Sequence, residues 1–290
     1  MKTGCLLPAV LEPGGLSTRL QPIFEVSSRG QRLHAVEALT RGPKGTILEP
    51  AGVLFEYVRR KRQEAAVDRA CVRTILDAVR DLPPDVDVSL NVHASTLGSE
   101  RDFAGFLLET AATNSVAPSR LILEVVEQTP SWDRPNLISC LNLLRENEVR
   151  IALDDLGSGH SHYRMLLDCK PDYVKVDSSI VVGCVSDPYR RAVLDSILHL
   201  GREFGAQPVI EGVDRYADLE VLLAMGFTLI QCYLLAAPMT VDELQACEWF
   251  AGRSGYVRPS LLLREMAASR KMPASANPLA PALLQLEFGG

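Results

Sequence analysis

The sequence predicts an α/β fold on a largely parallel sheet, either a barrel or a doubly wound sheet. Three observations carry that expectation. Short apolar runs alternate with stretches of helical spacing along most of the chain. The 290 residues are enough for one large core, a domain of roughly 200–250 residues with extensions. Polar or charged residues recur near the C-terminal ends of the apolar runs.

The elements follow in order. Thr18–Val26 and Arg32–Arg41 read as two strands about a turn at Ser27–Gly30. Pro50–Pro84 reads as one long helical stretch, with Val67, Cys71, Ile75 and Val79 at helical spacing and Pro83–Pro84 as its stop. Six strands then follow, in "VDVSLNV", "LILEVVE", "RIALDD", "DYVKVD", "QPVIEGV" and "TLIQCYLL". They alternate with helices near 101–114, 134–148, 188–205 and 216–225. The expected division is a leader over 1–14, read as disordered, a main domain over 15–245 and a helical, Pro/Ala-rich extension over 246–290.

Composition narrows the function. At 47% hydrophobic and 23% charged, the chain reads as an ordinary soluble globular protein. A net charge of −6 argues against a broad basic surface for duplex nucleic acid, so a polyanionic substrate needs local metal or arginine. The basic run Val58–Gln63 lies within the long helical stretch and reads as a solvated helix face. Seven cysteines without a C-x-x-C pair point to reduced thiols and a cytoplasmic protein. No apolar run approaches the about 18 residues of a membrane span, and the N-terminal apolar run is too short for a signal peptide.

Seven apolar runs each deliver one polar residue: Glu37, Asn91, Glu124, Asp154, Lys175, Glu211 and Gln231. In a (β/α)₈ barrel such strand ends converge on one mouth, where catalytic groups sit. Asp154 and Asp155 stand directly behind Ile151–Leu153 and before a glycine-rich turn. Like charges held that close need compensation, and a cation supplies it. Glu37, Asn91, Glu124, Asp154 and Asp155 are hard oxygen donors without a histidine or cysteine cluster, a set that suits Mg²⁺ or Mn²⁺. Two such ions would stabilise both the attacking and the leaving oxygen of a phosphoryl displacement.

With "VEALTR" at 36–41, preceded by "LQPIF" and followed by "NVHAS", "LEVVE", "DDLGSGHS", "YVKVDSS", "IEGVD" and "QCYLLAAP", the sequence resembles the EAL-domain cyclic di-GMP phosphodiesterases. The resemblance implies a modified TIM barrel whose first strand runs antiparallel to the rest. It implies hydrolysis of cyclic di-GMP to linear pGpG with Mg²⁺ or Mn²⁺, a homodimer, and control by the termini or a separate regulatory protein. By the same resemblance Glu37, Asn91, Glu124, Asp154 and Asp155 hold metal, with Asp154 bridging two ions. Lys175 orients the attacking water and Glu211 is the general base. Arg41, Gln21, Leu39 and Gln231 lie at the substrate, and Glu127, Asp177 and Asp214 anchor the surroundings.

The pattern departs from the family at several places. Leu156, Ser158 and His160 alter the glycine loop, Asp214 replaces a glutamate, Cys232 replaces a glycine, and Gly42 stands where a tryptophan is usual. His93, His160 and His162 read as structural or solvated, and Cys232 as a small buried thiol. These departures keep open a second reading, an EAL domain that binds cyclic di-GMP or another protein without turnover.

Overall fold

The computed structural model describes residues 6–27, 30–126, 133–157, 162–252 and 255–256. Among these, eight strands close into a barrel in the sequential order β1 to β8. They are β1 (Ser17–Ser27), β2 (Gly30–Arg41), β3 (Asp87–His93), β4 (Leu121–Val126), β5 (Arg150–Leu156), β6 (Tyr173–Val176), β7 (Gln207–Glu211) and β8 (Leu229–Gln231). The helices are α1 (Leu7–Leu11), α2 (Ala51–Lys61), α3 (Glu64–Val79), α4 (Ala94–Ser99), α5 (Phe103–Thr113) and α6 (Arg134–Glu146). They continue with α7 (His162–Cys169), α8 (Ser178–Val181), α9 (Pro188–Phe204), α10 (Tyr216–Met225), α11 (Val241–Ala246) and α12 (Glu248–Ala251). β1 pairs with β8 antiparallel, as the resemblance implied, whereas β3–β4, β4–β5, β6–β7 and β7–β8 are parallel. Among the described residues no helix is long and apolar enough to cross a membrane.

By contact density the chain divides into two compact units. The first takes in residues up to Leu20, Glu37–Asp154 and a stretch ending at Pro171. The second takes in Gln21–Val36, a short stretch from Asp155 and the residues from Asp172 onward.

In the first unit β3 and β4 are buried on both faces, as parallel strands under helices must be. Val88, Leu90, Val92, Leu121, Leu123 and Val125 have no exposed surface. α3 lays Val67, Val72, Ile75, Leu76 and Val79 into the core. The single long helix expected over Pro50–Pro84 is instead two. Arg62 adopts a left-handed φ of 54° and caps α2, and α3 starts two residues later. Neither glycine nor proline marks that break, so it carries no local signal. The basic run therefore falls at the C-terminus of α2, where Arg59, Arg60 and Lys61 sit favourably against the helix dipole and Glu56 pairs with Arg59 and Arg60.

The stretch expected to be a disordered leader contains α1, with Val10 buried. Pro8 sits in the helix's first turn, where its missing N–H costs nothing. Helices also stand at α4, α7, α8 and α11, where the sequence named none, and α12 falls in the extension expected to be helical. Each is four to eight residues, too short for a periodic apolar signal.

One ion pair fixes α7, the helix that follows the glycine turn. Asp168, at 1% side-chain exposure, accepts from Arg134 Nε at 2.6 Å and from its terminal nitrogen at 2.5 Å. Arg134 opens α6, whose N-cap Asp133 accepts from the Asn136 amide at 3.1 Å. In the second unit the described end of the chain packs back on β1. The Trp249 ring stands edge-on to Phe24 at 5.1 Å, and the Tyr256 hydroxyl donates to Glu25 at 2.9 Å. Residues 257–290, the rest of the expected extension, lie outside the described residues.

The Arg134 guanidinium holds the Asp168 carboxyl below the usual carboxylate range, against the upward push of burial. A lowered folded pKa adds stability that is complete above the unfolded value of about 3.9 and is lost as pH falls through the folded one. Asp168→Asn is expected to cost about 1–2 kcal/mol at pH 7, because Arg134 is half-exposed and keeps its water. Urea melts at pH 7 and pH 3 check this, and the difference between variant and parent should shrink at the lower pH.

Candidate functional site

In the first unit the parallel register places Asn91 of β3 directly beside Glu124 of β4. Side chains of paired residues share one face of the sheet. Asn91 Nδ2 donates to Glu37 Oε1 at 2.7 Å, which links β3 to β2. The Ser89 hydroxyl donates to Glu124. Glu37 and Glu124 are 4% and 1% exposed, so both carboxylates are out of water. A cavity of about 230 Å³ is lined by Glu37, Leu39, Asn91 and Asp154 together with Phe55 and His93.

The chemistry of this set fits a divalent cation. Burying a carboxylate is costly unless hydrogen bonds or opposite charge compensate it, and Ser89 and Asn91 supply two such hydrogen bonds. Asn91 Oδ1 is buried without a hydrogen-bond partner. Its amide nitrogen is committed to Glu37, so the carbonyl oxygen is the atom left to ligate. Buried carboxylates with an orphaned carbonyl oxygen form a hard-donor set of the Mg²⁺ or Mn²⁺ kind.

In the second unit Lys175, 2% exposed, places Nζ 2.8 Å from Glu211 Oε1. Carboxylate oxygens of Asp155 and Glu211 lie within 4.8 Å of one another. Asp155 reaches this position through a left-handed backbone, φ 57°. Strand alternation sends consecutive side chains to opposite faces, and the left-handed residue breaks that alternation straight after Asp154. A non-glycine residue there carries about 1–2 kcal/mol of backbone strain, the kind that persists at functional positions. Gly157 follows at φ 111°, where only glycine is at ease.

The remaining expected residues divide. Gln231, buried, pairs in register with Glu211, and its carbonyl accepts the Gly212 N–H at 3.1 Å. Gln21, buried, donates to the Ala236 carbonyl at 3.4 Å. Asp177 caps α8 through the Ser179 amide at 2.9 Å, and its own N–H bonds the Leu156 carbonyl at 3.2 Å. It therefore anchors the end of β5. Arg41 ends β2 half-buried, and Asp214 is exposed. Glu127, Ser158 and His160 lie outside the described residues. Cys232 is buried at 1% exposure.

Sequence reasoning missed Ser89, Phe55 and the set Asp68, His93 and Thr96. Asp68 had a legible signal. It falls on the apolar stripe of α3 with Val72, Ile75 and Val79, and a fully buried aspartate requires a partner. His93 is not solvated: its Nδ1 lies 2.9 Å from Asp68.

The sequence matches the EAL domain family over residues 6–238. The chain belongs to that family. It is 29% identical over 250 residues to the probable cyclic di-GMP phosphodiesterase PdeG of Escherichia coli K12, covering 82% of this chain and 48% of that protein. It is 26% identical over 213 residues to the cyclic di-GMP phosphodiesterase PdeL of the same organism, covering 72% of this chain and 56% of PdeL. The chain thus spans about half the length of these curated relatives. Among solved structures, the PaMucR phosphodiesterase in complex with c-di-GMP superposes with a TM-score of 0.71 at 25% identity, over 82% of this chain and 98% of that one. The EAL domain protein of Listeria monocytogenes EGD-e superposes with a TM-score of 0.72 at 21% identity, over 82% and 94%, a likeness of fold.

This EAL domain has no room for an aromatic at residue 42. A Cβ on Gly42 would lie 2.0 Å from the Leu48 carbonyl oxygen, because the turn folds back to bond the Gly42 N–H to Glu49 at 3.1 Å. Gly42→Trp is therefore expected to destabilise the protein by about 1–3 kcal/mol, the usual range for overpacking. A thermal melt checks it, and an unchanged or raised Tm would show that the turn can move aside.

Proposed function

We propose that this EAL domain hydrolyses one phosphodiester bond of cyclic di-GMP to give linear pGpG. The observation that carries the reading is the buried, unpartnered Asn91 Oδ1 beside the buried carboxylates of Glu37 and Glu124. An open carbonyl oxygen next to buried carboxylates is an arrangement that suits a bound divalent cation. Family membership supplies the substrate class, and the names of PdeG and PdeL point the same way.

Each residue then has a task. Glu37, Asn91, Glu124, Asp154 and Asp155 hold two divalent ions, Mg²⁺ or Mn²⁺. Bound there, such ions supply a lowered pKa to an attacking water and a neutralised phosphate. Glu211 accepts the proton that water gives up as it attacks phosphorus. Lys175 fixes the Glu211 carboxylate by one oxygen and leaves its orientation little freedom. Arg41 pairs with a phosphate oxygen, a contact that its planar fork suits. Leu39, Gln21 and Gln231 shape the wall against the substrate. The P–O3′ bond breaks, and the 3′-oxygen leaves as a hydroxyl with a proton from solvent.

Cys232 and the missing aromatic at residue 42 favour one further reading, a cyclic di-GMP receptor without turnover. The proposal includes a homodimer, which rests on the resemblance, a cytoplasmic setting, which rests on the scattered cysteines, and input from a separate regulatory protein.

Purified protein incubated with cyclic di-GMP and Mg²⁺ or Mn²⁺ is expected to yield pGpG, and EDTA should stop it. Glu211→Gln should lower kcat by about 10²–10⁴-fold, the range for a lost general base. Glu37→Ala should abolish turnover. Nucleotide binding without product in the parent protein would favour the receptor, and turnover surviving in Glu37→Ala would sink the site.

A further inference from the structure

β3 ends in Asn91-Val92-His93, and residues 91 and 93 project to one face because they are two apart. Both line the same cavity. Behind them, on α3, stands Asp68 at 1% exposure. Its carboxylate takes three donors. Oδ1 meets His93 Nδ1 at 2.9 Å, and Oδ2 accepts the His93 backbone N–H at 3.1 Å and the Thr96 hydroxyl at 2.5 Å. One carboxylate thereby grips both the ring and the backbone of the same residue, and ties in the start of α4. An ionised carboxylate only accepts, so His93 Nδ1 carries the proton and the ring orientation is set. The Phe55 ring packs against the imidazole at 5.6 Å, which shields the grip from water.

We propose that Asp68 and His93 form a positioning pair for Asn91, holding its carbonyl oxygen at the place where a divalent cation binds. The inference rests on the metal reading above and assigns new residues to it. Asn91 is the neutral member of the donor set. It has no charge to pull it toward an ion, so its place depends on the strand that carries it. Its amide nitrogen is steered by Glu37, and its backbone is steered two residues on by the grip on His93. A displacement of about 0.5 Å at such a ligand is enough to weaken a metal site. A histidine held only to fill the core would need neither a buried aspartate nor a third donor from Thr96. Helix α3 is thus the support of the oxygen donors on β2 and β3.

The test measures Mn²⁺ binding to the full chain, without nucleotide, by loss of the free-Mn²⁺ EPR signal. His93→Gln keeps polarity and volume but carries its amide one bond further out, beyond the Nδ1 position. His93→Asn places an amide N–H near Nδ1 and can still donate to Asp68. Supporting groups of this kind change metal affinity by about 10–100-fold, so His93→Gln and His93→Leu should raise the Mn²⁺ Kd by that factor while His93→Asn stays within about threefold. At saturating Mn²⁺ the kcat of His93→Gln should recover, because metal occupancy and not chemistry was lost.

A folded His93→Gln that binds Mn²⁺ like the parent overturns the inference. So does an equal loss in Gln and Asn, since the hydrogen bond to Asp68 would then be irrelevant. If Glu37→Ala also binds like the parent, the metal reading itself has failed. If Glu37→Ala loses Mn²⁺ and His93→Gln does not, only the positioning role falls.

Discussion

Everything at the candidate site follows from burying negative charge. Glu37 and Glu124 sit at 4% and 1% exposure inside the strands, and Asn91 donates to the first and Ser89 to the second. An ionised carboxylate away from water destabilises a fold by several kcal/mol unless opposite charge is close. Oxygen donors of this kind suit hard cations.

The same economy of charge separates two kinds of buried acid in this chain. Asp168 has Arg134 against it, and Asp218 accepts backbone N–H groups from Gly183 and Val185 at 3.0 Å each. Burial pushes the Asp218 carboxyl up, and these two donors overcome it and bring it below the usual range. Such acids clamp helices and loops and are complete as they stand. Asn91 keeps an orphaned buried oxygen, which a clamp would not leave.

Strain marks the junction between the two kinds of backbone. Asp154 ends a regular strand run, and Asp155 turns left-handed at once. A strand that simply continued would have set the aspartates on opposite faces and left Asp155 away from Glu211. Asp177 braces the next step by taking the Leu156 carbonyl.

The sequence by itself determined the family and the strand and main helix positions. These are local matters. An apolar run of four to eight residues, an Asp-Pro start as at Asp187–Pro188, or a glycine stop as at Gly205 acts over neighbouring residues and can be read along the chain. The tertiary structure alone decided the break at Arg62, the docking of α1, the obstruction at Gly42 by Leu48, and the grip of Asp68 on His93. Each of these depends on groups that meet only after the chain has closed on itself. Asp68 and His93 are 25 residues apart, and no pattern of spacing says that a helix will deliver its one buried aspartate to that strand end.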